Sequence, residues 1–239
     1  MKKIDMHVHT SGASFCSEVS GKMATDAYKK AGLDGIVLTN HYSVRHFEYF
    51  GHDYDSAVKN YVDEYHRVKK VFESAGMSAY LGVEVEMSDG GTISDTTKNH
   101  EFLLYGANEE FLFENPKLYD MTQKNLYLLC HKNNILMFQA HPFREEQGHH
   151  PADPEFLDGT EINTHPKYKL NIERLFHFAD KYDLSVICGS DMHYVTQAGD
   201  AVTILPKSVT DNAALAEYLK KTQRPEIIYA NSQLLRKSV

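Results

Sequence analysis

Ile4-Asp5-Met6-His7-Val8-His9-Thr10 starts the chain as a short strand ending on two histidines, and Gly189-Ser190-Asp191-Met192-His193 repeats that i, i+2 spacing far along the chain. In a strand, residues two apart face the same side, so His7 and His9 can present both imidazoles to one cation. Asp191 and His193 share that spacing. A site assembled from such distant segments requires a fold that brings its first and last strands together.

Working outward, the pattern alternates strand and helix. Helices are expected over about 22–31, 54–75, 118–133, 168–182 and 211–221, with Gly32 and Gly76 closing the first two. The second carries Val58, Tyr61, Val62, Tyr65, Val68 and Phe72 at helical spacing. Strands are expected over 4–9, 35–39, 78–85, 101–105, 135–139, 158–162, 184–188 and 226–229. Such alternation predicts mostly parallel strands with outer helices. Polar, metal-compatible residues fall at nearly every strand end: His41, Glu84, His141 and Asp191, with His100 at the start of 101–105. An open doubly wound sheet would gather them at one switch point, so a barrel is favoured, with residues 89–99 and 144–158 bordering its mouth.

Composition narrows the functional classes. The 239 residues carry a formal charge of −8, which offers no obvious attraction for nucleic acid phosphates. No apolar run approaches the ~20 residues of a membrane span, and Met1-Lys2-Lys3-Ile4-Asp5 lacks a secretory signal's apolar stretch. One cytoplasmic domain over residues 1–239 is expected. Cys16, Cys130 and Cys188 form no close pair and are expected reduced. Cys130 and Cys188 read as buried small hydrophobes, and Cys16, in a polar loop, as a candidate neighbour of the site.

The ordered segments Asp5-Met6-His7-Val8-His9-Thr10, Leu38-Thr39-Asn40-His41, Gly82-Val83-Glu84, His100, Ala140-His141-Pro142 and Gly189-Ser190-Asp191-Met192-His193 resemble the motifs of the polymerase-and-histidinol-phosphatase (PHP) superfamily. The resemblance implies a distorted TIM-like (β/α)7 barrel and a phosphoesterase using two or three divalent ions (zinc, manganese or iron). By the same resemblance His7, His9, Glu84 and Asp191 hold a first cation, Glu84, His100 and His141 a second, and His41 and His193 a third. Phe15-Cys16-Ser17-Glu18 resembles a Phe-Cys-Pro-His stretch of some relatives. That likeness puts Glu18 at the third site's remaining position, with Cys16 or water as alternatives. Arg144, whose planar fork matches phosphate oxygens, is the expected phosphate clamp.

The implied reaction is hydrolysis of a small phosphorylated metabolite by a hydroxide bridging two cations, with Asp191, His193 and Arg144 as catalytic residues and His193 protonating the leaving oxygen. Nucleotide-trimming phosphodiesterase chemistry, carbon–nitrogen hydrolysis and a non-catalytic metal-binding module are the competing readings. Asp5 reads as a supporting acceptor, and Glu86 competes with Glu84. His46, His52, His66, His131 and His177 read as surface or hydrogen-bonded residues. His149 and His150 read as solvated loop residues, with contact to substrate as the alternative, and His165 stands between the two readings.

Overall fold

The computed structural model describes residues 1–51, 53–87, 100–145, 148–166 and 171–229. The expected loop over 89–99 and the expected helical residues 168–170 lie outside them, as does His52. Strands β1 (Lys2–Val8), β2 (Gly35–Leu38), β3 (His41–Tyr42), β4 (Ser78–Glu86), β5 (Glu101–Tyr105), β6 (Leu136–Gln139), β7 (Gly159–Asn163), β8 (Ser185–Gly189), β9 (Ala201–Leu205) and β10 (Ile227–Tyr229) build one curved sheet. Helices α1 (Gly21–Ala31), α2 (Val44–Phe50), α3 (Tyr54–Ser74), α4 (Glu109–Glu114), α5 (Gln123–Lys132), α6 (Ile172–Lys181) and α7 (Asn212–Lys221) fill the connections.

The strand order is β10-β9-β1-β2-β4-β5-β6-β7-β8, with β3 added beside β4. Closure comes through the loop after β8: Val8 and Met192 form an isolated parallel bridge. His9 N donates to Met192 O at 3.1 Å and Met192 N to His7 O at 3.3 Å. Elsewhere β9 lies between the two edges, pairing antiparallel with β1 at Lys2–Ile4 while its Thr203 hydroxyl accepts from Cys188 N. The result is the expected distorted barrel, nearly but not fully closed.

One strand departs from the parallel pattern. β5 runs antiparallel to both β4 and β6, so the beginning of β5, rather than its end, reaches the rim where the parallel strands finish. The expected helix over 118–133 divides into a 3-10 turn at Leu118–Asp120 and α5. Thr122 caps α5, its hydroxyl accepting from Asn125 N, and thereby sets a new start. The short elements β3, α2, α4 and β9 were not anticipated.

Two apolar layers hold the frame. Met6, Val37, Tyr80, Leu103, Tyr105, Phe138 and Ile187 pack inside the barrel. Val8, Leu38, Leu81, Phe102, Leu104, Ile162 and Cys188 pack outward, in one cluster with Tyr28, Tyr61 and Phe72 of the helices. All six α3 residues expected on its apolar face are buried. Each such burial stabilises by about 1.5–3 kcal/mol, so packing fixes α3. In β1 the register against β2 shifts between Asp5 and Val8. This irregularity lets Met6 join the inner layer while His7 and His9, on either side of outward Val8, both face in.

Candidate metal centre

The inward faces of the strands converge at one rim. Glu84, fully buried on β4, touches four histidines: His7 Nε2 at 3.1 Å, His9 Nε2 at 3.3 Å, His41 Nδ1 at 2.8 Å and His141 Nε2 at 3.3 Å. Parallel pairing of β3 with β4 sets His41 opposite Glu84. Asp191 Oδ1 lies 3.2 Å from His9 Nε2, 3.6 Å from His7 Nε2 and 3.4 Å from His193 Nδ1. His141 and Asp191 adopt positive φ values of 29° and 53°, a backbone region that His and Asp tolerate better than most residues and that is often found at functional sites.

Supporting hydrogen bonds fix the imidazole tautomers. His7 Nδ1 lies 2.8 Å from Glu161 Oε1 and so donates to it. Ser14 Oγ donates to Asn40 Oδ1 and accepts from His9 Nδ1 at 3.0 Å. His193 Nδ1 donates to the Asp191 carbonyl at 2.9 Å. In their neutral forms all three therefore carry a lone pair on Nε2, the arrangement that orienting partners give to metal-bound histidines. Gly189 is required here, because a Cβ at that position would collide with Glu161 Oε1 and His7 Cβ. Asp5 accepts from Tyr28, Ser190 N and His7 N and supports β1 without joining the cluster.

These donors fit divalent cations. His41 Nδ1 and Glu84 Oε2 approach to 2.8 Å, yet both are buried without a hydrogen-bond partner. His7 Nε2 and His9 Nε2 stand 2.9 Å apart. Buried lone pairs crowded in this way are costly unless a proton or a cation lies among them. The mixture of imidazole nitrogen and carboxylate oxygen suits zinc, manganese and iron.

Electrostatics agree with the geometry. Burial alone would raise the Asp191 carboxyl, but Arg144 and then His7 hold it well below the carboxylate range. Glu84 is likewise held low against burial by His7 and His41. Burial works against a proton on His7, but Glu161, Glu84 and Asp191 raise it well above the ordinary histidine value. His193 is pushed down to about 3 by burial and by His9. Neutrality of that kind leaves a lone pair on Nε2 for a cation.

Two residues expected as ligands, His100 and Glu18, lie outside the cluster among the described residues. Glu101 joins it instead of His100, its Oε2 lying 2.9 Å from His141 Nε2. The reason is parity: Leu103 and Tyr105 pack inside and Phe102 and Leu104 outside, so Glu101 points in, whereas the His100 ring lies against Phe102. Glu18 is exposed, its backbone N held by His193 O at 3.1 Å. Cys16 lies nearer the cluster, with Sγ 3.1 Å from His193 Nε2. The turn in which Ser17 N donates to Ser14 O and Ser17 Oγ to His9 O leaves residue 16 over the site. Glu86 points inward opposite Glu101 on β5 but joins only His41 and Glu101, so Glu84 keeps the central position.

The site opens into a cleft of about 280 Å³ lined by Cys16, His41, Glu101, Arg144, His165 and His193, among others. Arg144 is buried, its Nη2 donating to Asp191 Oδ2 at 2.6 Å and Asn163 Oδ1 at 2.7 Å. His149, expected in solvent, is buried against His141, and burial holds it down at about 4. His150 is exposed. His66 pairs with Glu109 and His131 with Asp158 away from the site, as expected, and Cys130 and Cys188 are buried. Among the described residues no helix is long and apolar enough to cross a membrane.

Comparison with known proteins agrees. Residues 173–223 match the family model described as PHP-associated. No curated protein sequence matches the chain. Among solved structures, PsfC from Pseudomonas syringae PB-5123 superposes with a TM-score of 0.68 at 16% identity, over 96% of this chain and 92% of its own. A two-domain protein from Bacteroides vulgatus ATCC 8482, containing a predicted PHP-like metal-dependent phosphoesterase, gives 0.65 at 17% identity, over 95% of this chain and 64% of its own. The lesion-specific endonuclease EndoQ from Pyrococcus furiosus gives 0.59 at 14% identity, over 92% of this chain and 56% of its own. The chain thus spans little more than half to two thirds of the latter two. At these identities the likeness is one of fold; together with the sequence match at 173–223 it supports membership of the PHP superfamily.

Proposed function

We propose that the chain, acting as one cytoplasmic domain over residues 1–239, is a metal-dependent phosphoesterase that hydrolyses a small phosphate monoester. The observation that carries this reading is the convergence of buried lone-pair atoms from His7, His9, His41 and Glu84 beside a buried arginine. His7, His9, Glu84 and Asp191 would hold one cation, Glu84, Glu101 and His141 a second, and Cys16, His41 and His193 a third. Divalent cations so held lower the pKa of water from 15.7 to around 7 and offset charge on phosphoryl oxygens.

The chain's own groups do the positioning. Arg144, anchored through Nη2 by Asp191 and Asn163, presents its guanidinium to the cleft as the phosphate clamp. Asp191, held ionised, ties that arginine to the imidazoles of His7 and His9. The cleft, at about 280 Å³, lies at the small end of ligand pockets and suits a compact ester. A net charge of −8 disfavours long nucleic acids.

The test is metal analysis of the purified chain followed by turnover on a panel of phosphomonoesters and on oligonucleotides at two salt concentrations. Two or three bound cations and salt-insensitive turnover of a small monoester are expected. Turnover of oligonucleotides alone, falling steeply with salt, would replace this reading by the nuclease one. Bound metal with no turnover of any ester would leave a binding module.

A further inference from the structure

We infer that His149 is a protein ligand of the second cation, completing a set with Glu101 and His141 and pinning the segment after β6 to the metal centre. The inference rests on the hydrolase reading only in requiring that cations bind. Nothing in the polar context His149-His150-Pro151 marks the residue, yet it is 5% exposed while its neighbour His150 is exposed.

Three observations carry it. One ligand atom each from Glu101, His141 and His149 lie within 4.8 Å of one another, which is close enough for a single ion to touch all three. The His149 ring meets the His141 ring edge-on, at 85° with centroids 4.6 Å apart. His149 Nδ1 is buried with no hydrogen-bond partner, whereas structural histidines in the interior are usually satisfied.

The backbone holds the ring there before any ion arrives. His149 N donates to Arg144 O at 3.2 Å. Gln139, 1% exposed at the end of β6, grips the chain just beyond: Nε2 donates to His150 O at 2.7 Å and Oε1 accepts from Ala152 N at 2.8 Å. This clamp fixes residues 149–152 to the strand that leads into His141, so the two imidazoles approach from one rigid unit. Two imidazoles and the Glu101 carboxylate, with the Glu84 oxygen already assigned to this cation, make a zinc-type set of four protein ligands.

The experiment loads the full chain with zinc, challenges it with a graded chelator series and measures retained metal by mass spectrometry. His149→Ala is expected to surrender one cation at roughly tenfold or more lower chelator strength, with the other cations retained as before. His149→Gln, which keeps a polar group, is expected to do the same and covers the case in which the alanine variant folds poorly. His150→Ala should match the unsubstituted chain. If both His149 variants keep every cation with unchanged chelator sensitivity, the inference is overturned, and a raised KM in them would then make His149 a substrate contact. That result leaves the phosphoesterase reading standing, whereas an unsubstituted chain that binds no cation overturns both.

Discussion

His7 Nε2 and His9 Nε2 face each other across 2.9 Å while their Nδ1 atoms are engaged by Glu161 and Ser14. Only a proton or a cation can sit between them favourably, and the surrounding carboxylates raise the proton affinity of His7 well above the usual value. His41 and His141 are also raised, against burial, by Glu84 and by Glu101 with Glu84 respectively. Cation binding at neutral pH must therefore expel protons. Calorimetric titration of zinc into the cation-free chain, in buffers of different ionisation enthalpy, should report release of at least one proton. The sign for stability follows from linkage: groups raised above the unfolded value of 6.5 contribute stability below that pH and lose it as pH rises through their folded values. The cation-free chain should thus melt lower at pH 9 than at pH 6.5, and the loaded chain should not. Buffer-independent heats would contradict the arrangement.

Glu101, not His100, contacts His141. Glu101→Gln is expected to weaken retention of one cation by ten- to a hundredfold and to depress turnover accordingly. His100→Gln should leave metal content at the level of the unsubstituted chain. Equal losses in both variants would show that the inward parity of β5 does not decide the ligand.

Cys16 stands 3.1 Å from His193 Nε2 where an oxygen ligand was expected. A thiolate ligand gives cobalt a sulfur charge-transfer absorption that oxygen and nitrogen ligands do not. The cobalt-loaded chain should show that band, Cys16→Ser should lose it together with the third cation's tighter retention, and Glu18→Gln should keep both. A spectrum identical in all three proteins would remove the thiol from the site.

Much of this centre was legible because strand periodicity acts locally. His7 and His9, Glu84, His141, Asp191 and His193 were placed by motif order and by the rule that parallel strands finish at one rim. The placements that depart from expectation share a physical cause, which is that they depend on partners distant in sequence. β5 reverses direction, so its first residue reaches the rim, and only the alternation of Leu103 and Tyr105 against Phe102 and Leu104 could have chosen Glu101. Glu18 lost to Cys16 through a turn set by Ser14 and Ser17. His149 is drawn inward by Gln139, a grip that no local pattern announces.

Arg144 and Asp191 form a buried ion pair at 2.6 Å. Removing one partner of such a pair leaves an uncompensated charge, typically costing about 3–5 kcal/mol. Arg144→Met should therefore lower the unfolding midpoint of the cation-free chain. Loading should restore much of it, because a cation compensates Asp191. Activity should not return: loss of a phosphate-binding donor is expected to cut kcat by about 10²–10³. Arg144→Lys, which keeps charge but not the planar fork, should recover stability more than turnover. Full activity in the lysine variant would show that the fork is not used.

His46 offers a stability test away from the metal centre. Its ring is buried among Tyr42, Phe47, Phe50 and Tyr61, and Nδ1 donates to Ala13 O at 2.8 Å, tying α2 to the loop after β1. Burial pushes its pKa down from 6.5 to about 4. The unfolded chain then takes up a proton below pH 6.5 that the folded chain refuses until near pH 4, so the contribution is intact above 6.5 and lost as pH falls through that window. At about 1.4 kcal/mol per unit the loss is on the order of 3 kcal/mol. His46→Gln keeps a donor for Ala13 O but cannot titrate. Denaturant unfolding of both cation-free proteins at pH 7.5 and 4.5 should show the unsubstituted chain losing about 2–3 kcal/mol more than the variant. The raised histidines of the metal centre are common to both proteins and cancel in the difference. A stability gap that stays constant across that range would mean that His46 takes up its proton as readily in the folded chain as in the unfolded one.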